Sequence, residues 1–140
     1  MTEYKSIYLD TAPLIYFLEC VAPYADKVNN FIISQFEMGA SFVTSYITNT
    51  EYLVMPYREH DFQKILEFEQ FKSILNIKLL PVADEISKQA AQIRAKYPSI
   101  KGMDSIQIAS CMRAQCDIFL TNDIRLKQVN EINILLVEEL

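Results

Sequence analysis

Residues 6–13 read Ser-Ile-Tyr-Leu-Asp-Thr-Ala-Pro, SIYLDTAP. Ser6 to Leu9 is short, apolar and rich in strand formers, which predicts a buried strand. Thr11 is placed to cap a helix whose first turn accepts Pro13, because the amide that proline lacks would be unpaired there anyway. Asp10 therefore stands where a strand gives way to a helix. A strand feeding straight into a helix is the unit from which parallel sheets are built.

The alternation continues along the chain. Tyr24 to Met38 places Val28, Phe31, Ile32, Gln35 and Phe36 along one helical face, and Gly39 is positioned to end that helix. Ala40 to Thr44 reads as a second strand. Ser45 to Met55 reads as a helix ending before Pro56, and a further helix runs from about His60 to Leu75. Ile77 to Val82 is a third strand, followed by a helix from Asp84 to Tyr97 stopped by Pro98. Gly102 to Ala114 is the last helix, with strands at Asp117 to Thr121 and Ile134 to Val137. Five short apolar strands alternating with helices predict an α/β fold: a three-layer α/β/α sandwich around a central, mostly parallel sheet of about five strands. No linker, repeat or low-complexity tract interrupts residues 1–140, which read as one domain.

Composition narrows the chemistry. About half of the 140 residues are apolar (51%) and only two are glycine, as expected of a packed globular domain. No apolar run approaches the roughly 20 residues that span a bilayer. The opening MTEYKSIYLD does not look like a signal peptide, and a cytoplasmic location is expected. Cys20, Cys111 and Cys116 sit in apolar-patterned segments without a CxxC pair, the pattern of small buried thiols in a reducing compartment. His60 is the only histidine, in a charged stretch with no serine or cysteine elbow near it, which argues against a Ser-His-Asp mechanism. The net charge of −5 is the wrong sign for a protein that grips nucleic acid by blanket electrostatics.

Ligands of open α/β sheets bind beyond the carboxyl ends of the strands. Asp10 follows the first strand, Asp123 follows the fourth, Asp104 lies in the first turn of a helix, and Glu51 lies about two turns into the helix leaving the second strand. Each has a structural account of its own. Asp104 complements a helix dipole, Thr48 and Glu51 fit a capping box, Asp123 suits a turn, and Asp10 can cap a helix. As a set they are harder to explain away. Asp10 and Glu51 are embedded in apolar sequence, where an unpaired carboxylate is costly, and converging carboxylates repel unless a cation intervenes. Hard oxygen ligands without histidine or thiolate suit Mg²⁺ or Mn²⁺, and magnesium sites are commonly completed by substrate phosphate. That points to phosphodiester chemistry.

The blocks YLDTAPLIYFLE, TSYITNTEYL, IKGMDSIQIAS and FLTND, in this order, resemble the PIN-domain ribonucleases, and particularly the VapC-type toxins of prokaryotic toxin–antitoxin pairs. The resemblance implies Mg²⁺ or Mn²⁺ held by the acidic quartet, and endonucleolytic cleavage of single-stranded or looped RNA. Asp10 and Asp104 match the principal metal ligands, and Glu51 and Asp123 the outer or second-metal pair. Thr11 and Thr121 match hydroxyl residues that orient water or a carboxylate. Ser105 and Gln107 depart from the small or apolar residues common after the third acid. The resemblance also implies a homodimer and a cognate antitoxin protein. The aromatic-rich helices carrying Phe31, Phe36, Tyr52, Phe68 and Phe71 offer a surface for such contacts, although aromatics at helical spacing are mostly core. Lys101, Arg125 and Lys127 lie near two of the acids in sequence and are candidates for holding RNA phosphates, ahead of Arg58 and Arg113.

Rival readings meet specific obstacles. A haloacid-dehalogenase-type phosphatase needs a second acid two residues after the first, where this chain has Ala12. A response-regulator receiver needs an acidic pair ahead of its aspartate and a lysine after the last strand, and neither is present. A housekeeping PIN nuclease in RNA processing fits the same acidic pattern, whereas the intact acidic quartet argues against a PIN-like fold that has lost catalysis and serves as a binding scaffold.

Overall fold

The computed structural model describes residues Met1–Leu140. Five strands, β1 (Ser6–Leu9), β2 (Ser41–Ser45), β3 (Lys78–Leu80), β4 (Ile118–Thr121) and β5 (Ile134–Leu136), form one sheet in the order β3-β2-β1-β4-β5. Every pairing is parallel. Seven helices connect them: α1 (Thr11–Glu19), α2 (Ala25–Glu37), α3 (Ile47–Tyr52), α4 (Val54–Arg58), α5 (Phe62–Ile74), α6 (Asp84–Lys96) and α7 (Gly102–Ala114). A 3₁₀ turn covers Ile124–Gln128 and a second covers Val137–Glu139.

The three-layer expectation holds, and the alternation of side chains along the strands is its cause. Ile7 and Leu9 of β1, Phe42 of β2, and Ile118 and Leu120 of β4 face a core shared with Leu14, Val28, Ile32, Phe68 and Phe71 from α1, α2 and α5. Tyr8, Val43 and Phe119 face the opposite core, shared with Ile93 of α6 and Ile108 of α7. Tyr8 and Phe119 stack across β1 and β4 with ring centroids 5.1 Å apart. A sheet buried on both faces needs continuous apolar strands rather than alternating ones, and SIYL and IFLT supply them.

The structure corrects several local expectations. Of the two caps the sequence offers for α1, Asp10 rather than Thr11 is the N-cap: its backbone is extended and its side chain accepts from the Thr11 amide. The Ser45–Met55 helix is two short helices, and Pro56 lies in the first turn of α4 rather than beyond a helix end. Thr48 lies inside α3 rather than capping it, so Thr48 and Glu51 form no capping box. Of the five aromatics expected to offer contact surface, Phe31, Tyr52, Phe68 and Phe71 are buried and only Phe36 is exposed. Gly39 takes the left-handed backbone expected just past α2, with φ 91°. No helix is long and apolar enough to cross a membrane.

Candidate active site

The chain runs from β1 outward to β2 and β3 on one side, then returns to place β4 and β5 on the other. The sheet therefore has its switch point between β1 and β4, where crossovers diverge and leave a crevice. Asp10 and Asp123 follow those two strands. A cleft of about 940 Å³ opens there, lined by Asp10, Glu51, Asp104 and Asp123 together with Thr11, Thr121, Lys101 and Arg125. All four acids and both threonines singled out in the sequence thus come from four separate segments to one place.

Asp10 is 8% exposed. Its Oδ1 accepts from the Thr11 amide at 2.9 Å and its Oδ2 from the Thr121 hydroxyl at 2.7 Å. Both contacts favour the charged carboxylate, yet its pKa is pushed from 3.8 up to about 7. Burial is the main cause, and repulsion from Asp104 and Glu51 adds to it. Desolvation, with the neighbouring acids adding to it, outweighs two good hydrogen bonds here.

Asp104 occupies the first turn of α7 and is half-buried. Burial raises its pKa, with Asp123 and Glu51 repelling it and Arg125 and Lys101 acting in the other direction. Glu51 projects from α3, and its Oε1 accepts from the Thr11 hydroxyl at 2.8 Å and from Gln107 Nε2 at 3.0 Å. Thr11 so joins two acids, donating its amide to Asp10 and its hydroxyl to Glu51.

Asp123 caps the 3₁₀ turn that follows β4 and is gripped by Arg125, whose Nε donates to Oδ1 at 3.0 Å and Nη2 to Oδ2 at 2.6 Å. This forked contact holds the Asp123 carboxyl below the usual carboxylate range. The Thr121 hydroxyl, besides donating to Asp10, accepts from the Asp123 amide at 3.1 Å. Because each of Asp10, Glu51 and Asp123 is drawn toward donors of its own, no group of three or more acids gathers around one point where a metal ion could be held.

Of the basic candidates, Lys101 and Arg125 line the cleft. Lys127 does not: its Nζ donates to the Ile134 carbonyl at 3.0 Å and pairs with Glu139 at 2.7 Å. Arg113 pairs with Glu85 at 2.8 Å, and Arg58 is exposed beside Met55. His60 is exposed between α4 and α5 and does not line the cleft. Gln107 belongs to the site although its sequence pattern assigns it no role there. It is fully buried and bonds to Tyr8, Thr11, Thr48 and Glu51. The available signal was an amide standing among Ile106, Ile108 and Ala109 in a helix, which shows burial but not what the amide meets.

The sequence matches the PIN domain family over residues 7–132. No curated protein matches the chain in sequence. Among solved structures, the chain is similar to VapBC2 from Rickettsia felis bound to a DNA fragment from its promoter (TM-score 0.77, 13% identity, covering 94% of this chain and 98% of that one). It is also similar to FitAcB from Neisseria gonorrhoeae (TM-score 0.72, 17% identity, 96% and 99% covered). A toxin–antitoxin complex from Klebsiella pneumoniae gives a TM-score of 0.68 at 15% identity, with 96% and 99% covered. At these identities the likeness is one of fold.

Proposed function

The chain belongs to the PIN domain family, and we propose that it is a Mg²⁺- or Mn²⁺-dependent endoribonuclease that cuts single-stranded or structured RNA in the Asp10–Glu51–Asp104–Asp123 cleft. The observation that carries this reading is the meeting of four carboxylates in one crevice, where burial and the neighbouring acids push Asp10 up to about 7. The donor set is all hard oxygen, which fits Mg²⁺ or Mn²⁺ and not a thiolate- or imidazole-seeking ion. Magnesium takes one or two carboxylates directly and keeps several waters, so the spread of the acids suits it better than a tight cage would. Asp10 and Asp104 would hold the ion, with Glu51 and Asp123 acting through water or on a second ion. When bound, the ion supplies Lewis acidity, polarising the phosphate and acidifying a water.

The remaining work falls to the chain itself. Thr11 and Thr121 fix the two oxygens of Asp10, and Thr11 also anchors Glu51. Lys101 and Arg125 stand at the cleft to take backbone phosphates, and a phosphate competing for Arg125 would free Asp123 to face the reacting centre. With no histidine in the cleft, proton transfer falls to water and the carboxylates.

We assign the chain to the toxin side of a type II toxin–antitoxin pair, in line with the complexes it resembles in fold. A groove between α2 and α5, with Ile33, Phe36 and Ile74 exposed along it, is an apolar face of the kind an antitoxin or a second copy covers.

The test is to incubate the purified protein with mixed RNA, with and without Mg²⁺ or Mn²⁺, beside the double variant Asp10→Asn, Asp104→Asn. Metal-dependent cleavage that the variant lacks is the expected result. A folded wild-type protein that cuts no RNA with either metal would favour the binding-scaffold reading.

A further inference from the structure

Gln107 bonds both to Tyr8 of the far core and to Thr11 and Glu51, which line the acidic cleft. It sits on α7 three residues after Asp104, with 0% of its surface exposed. Its amide has two hydrogens and one carbonyl oxygen, and the surrounding groups leave no choice of orientation.

The directions follow from counting hydroxyl hydrogens. The Thr44 hydroxyl donates to the Leu9 carbonyl at 2.9 Å, so in its 2.7 Å contact with Thr48 it accepts. Thr48 therefore donates to Thr44 and presents only lone pairs to Gln107, 3.1 Å away. The Thr11 hydroxyl donates to Glu51 and likewise presents lone pairs, at 3.3 Å. Glu51 Oε1, at 3.0 Å, offers only lone pairs as a carboxylate. Three acceptors face one end of the Gln107 amide, so that end must be the NH₂ group. The carbonyl end accepts from the Tyr8 hydroxyl.

We propose that Gln107 is the positioning residue for Glu51: its amide, turned by the Tyr8 hydroxyl, pins one carboxylate oxygen against the α7 wall and leaves the other for the cleft. This rests on the metal-dependent reading of the site. Without the amide, Glu51 keeps only the Thr11 hydroxyl, which is a single contact and does not fix a carboxylate's rotation. A hydrophobic residue at position 107 would also deprive the buried Tyr8 hydroxyl of its acceptor.

The test is the affinity for Mn²⁺ alone, read by electron paramagnetic resonance, in wild type, Gln107→Met, Glu51→Gln and the double variant. Methionine keeps the volume and removes both the donor and the acceptor. Removing an outer support of a metal ligand commonly costs about 10-fold in affinity, and that is the loss expected for Gln107→Met in the wild-type background. In the Glu51→Gln background the loss should shrink to under about twofold, because residues acting through one another are not additive. Tyr8→Phe, which keeps the ring packing and removes only the hydroxyl, should give a smaller loss with the same dependence on Glu51; it decides the matter if Gln107→Met does not fold. An equal loss in both backgrounds, or none in either, would overturn the proposal while leaving the nuclease reading intact. A wild-type protein that binds no Mn²⁺ would overturn both.

Discussion

Asp10 has two oxygens, both already bonded to the chain, and it is still difficult to ionise. The rise from 3.8 to about 7 corresponds to about 4 kcal/mol of preference for the neutral form in the fold. The folded state therefore holds a proton that the unfolded chain releases between about pH 4 and 7, so stability falls as pH rises through that window and levels off above it. Asp104 shifts in the same direction. In metal-free buffer the melting temperature of wild type should drop by several degrees relative to Asp10→Asn between pH 5 and 8, since asparagine caps a helix as well as aspartate. Added Mn²⁺ should restore the wild type at pH 8 and not the variant. Melting curves that shift in parallel for the two proteins would contradict this account of Asp10. At this scale the sequence showed the acids but not their partners. Thr48 and Glu51 have the spacing of a capping box, and what separates that from a tertiary network is Gln107, 56 residues away from Glu51. Local spacing carries no trace of so distant a partner.

The elements vary in how plainly they are written. For β1 and α7 the sequence reading matches the structure to the residue, because a short apolar run bounded by Asp10, and a helix opened by Gly102, both have sharp local ends. The segment between β2 and α5 holds two short helices where the sequence predicts one, because a proline marks a helix end only when it removes a bonded amide. Pro56 sits in the first turn of α4, where amides have no intrahelical partner to lose. α5 starts at Phe62, within two residues of the start the sequence predicts, and its cap is Asp61, whose Oδ1 accepts from the Lys64 amide at 3.1 Å. Asp61→Ala should cost about 1 kcal/mol in chemical denaturation. The cleft lies elsewhere, so the cleavage rate of the folded protein should not change. A loss well under half that value would mean that packing of Phe68 and Phe71 alone holds α5 in place.

Across the whole molecule the net charge is −5, so under the proposed ribonuclease reading RNA is held by locally placed cations rather than by a general field. Lys101 lines the cleft and Lys127 is tied to Glu139 and the Ile134 carbonyl. Lys101→Ala should weaken RNA binding and lower the salt slope by about 0.7 for a single strand, while Lys127→Ala should change neither. Equal effects from both would mean that RNA lies along the β5 edge instead of in the cleft. The layered fold was legible because strands buried on both faces need uninterrupted apolar runs. The gathering of the acids was legible because the strand ends of a parallel sheet share one edge. Their individual bonding, with Arg125 closed over Asp123 and Thr11 bridging Asp10 to Glu51, depends on contacts that no local pattern encodes. The most direct measurement is the initial rate of cleavage of a single-stranded RNA against Mn²⁺ concentration, for wild type and for Asp10→Asn, Asp104→Asn. The acidic cleft predicts a saturable rise for wild type and a loss of at least about 100-fold in the variant, beyond what outer contacts of a metal site contribute. Cleavage that is independent of Mn²⁺, or equal in the two proteins, would contradict it.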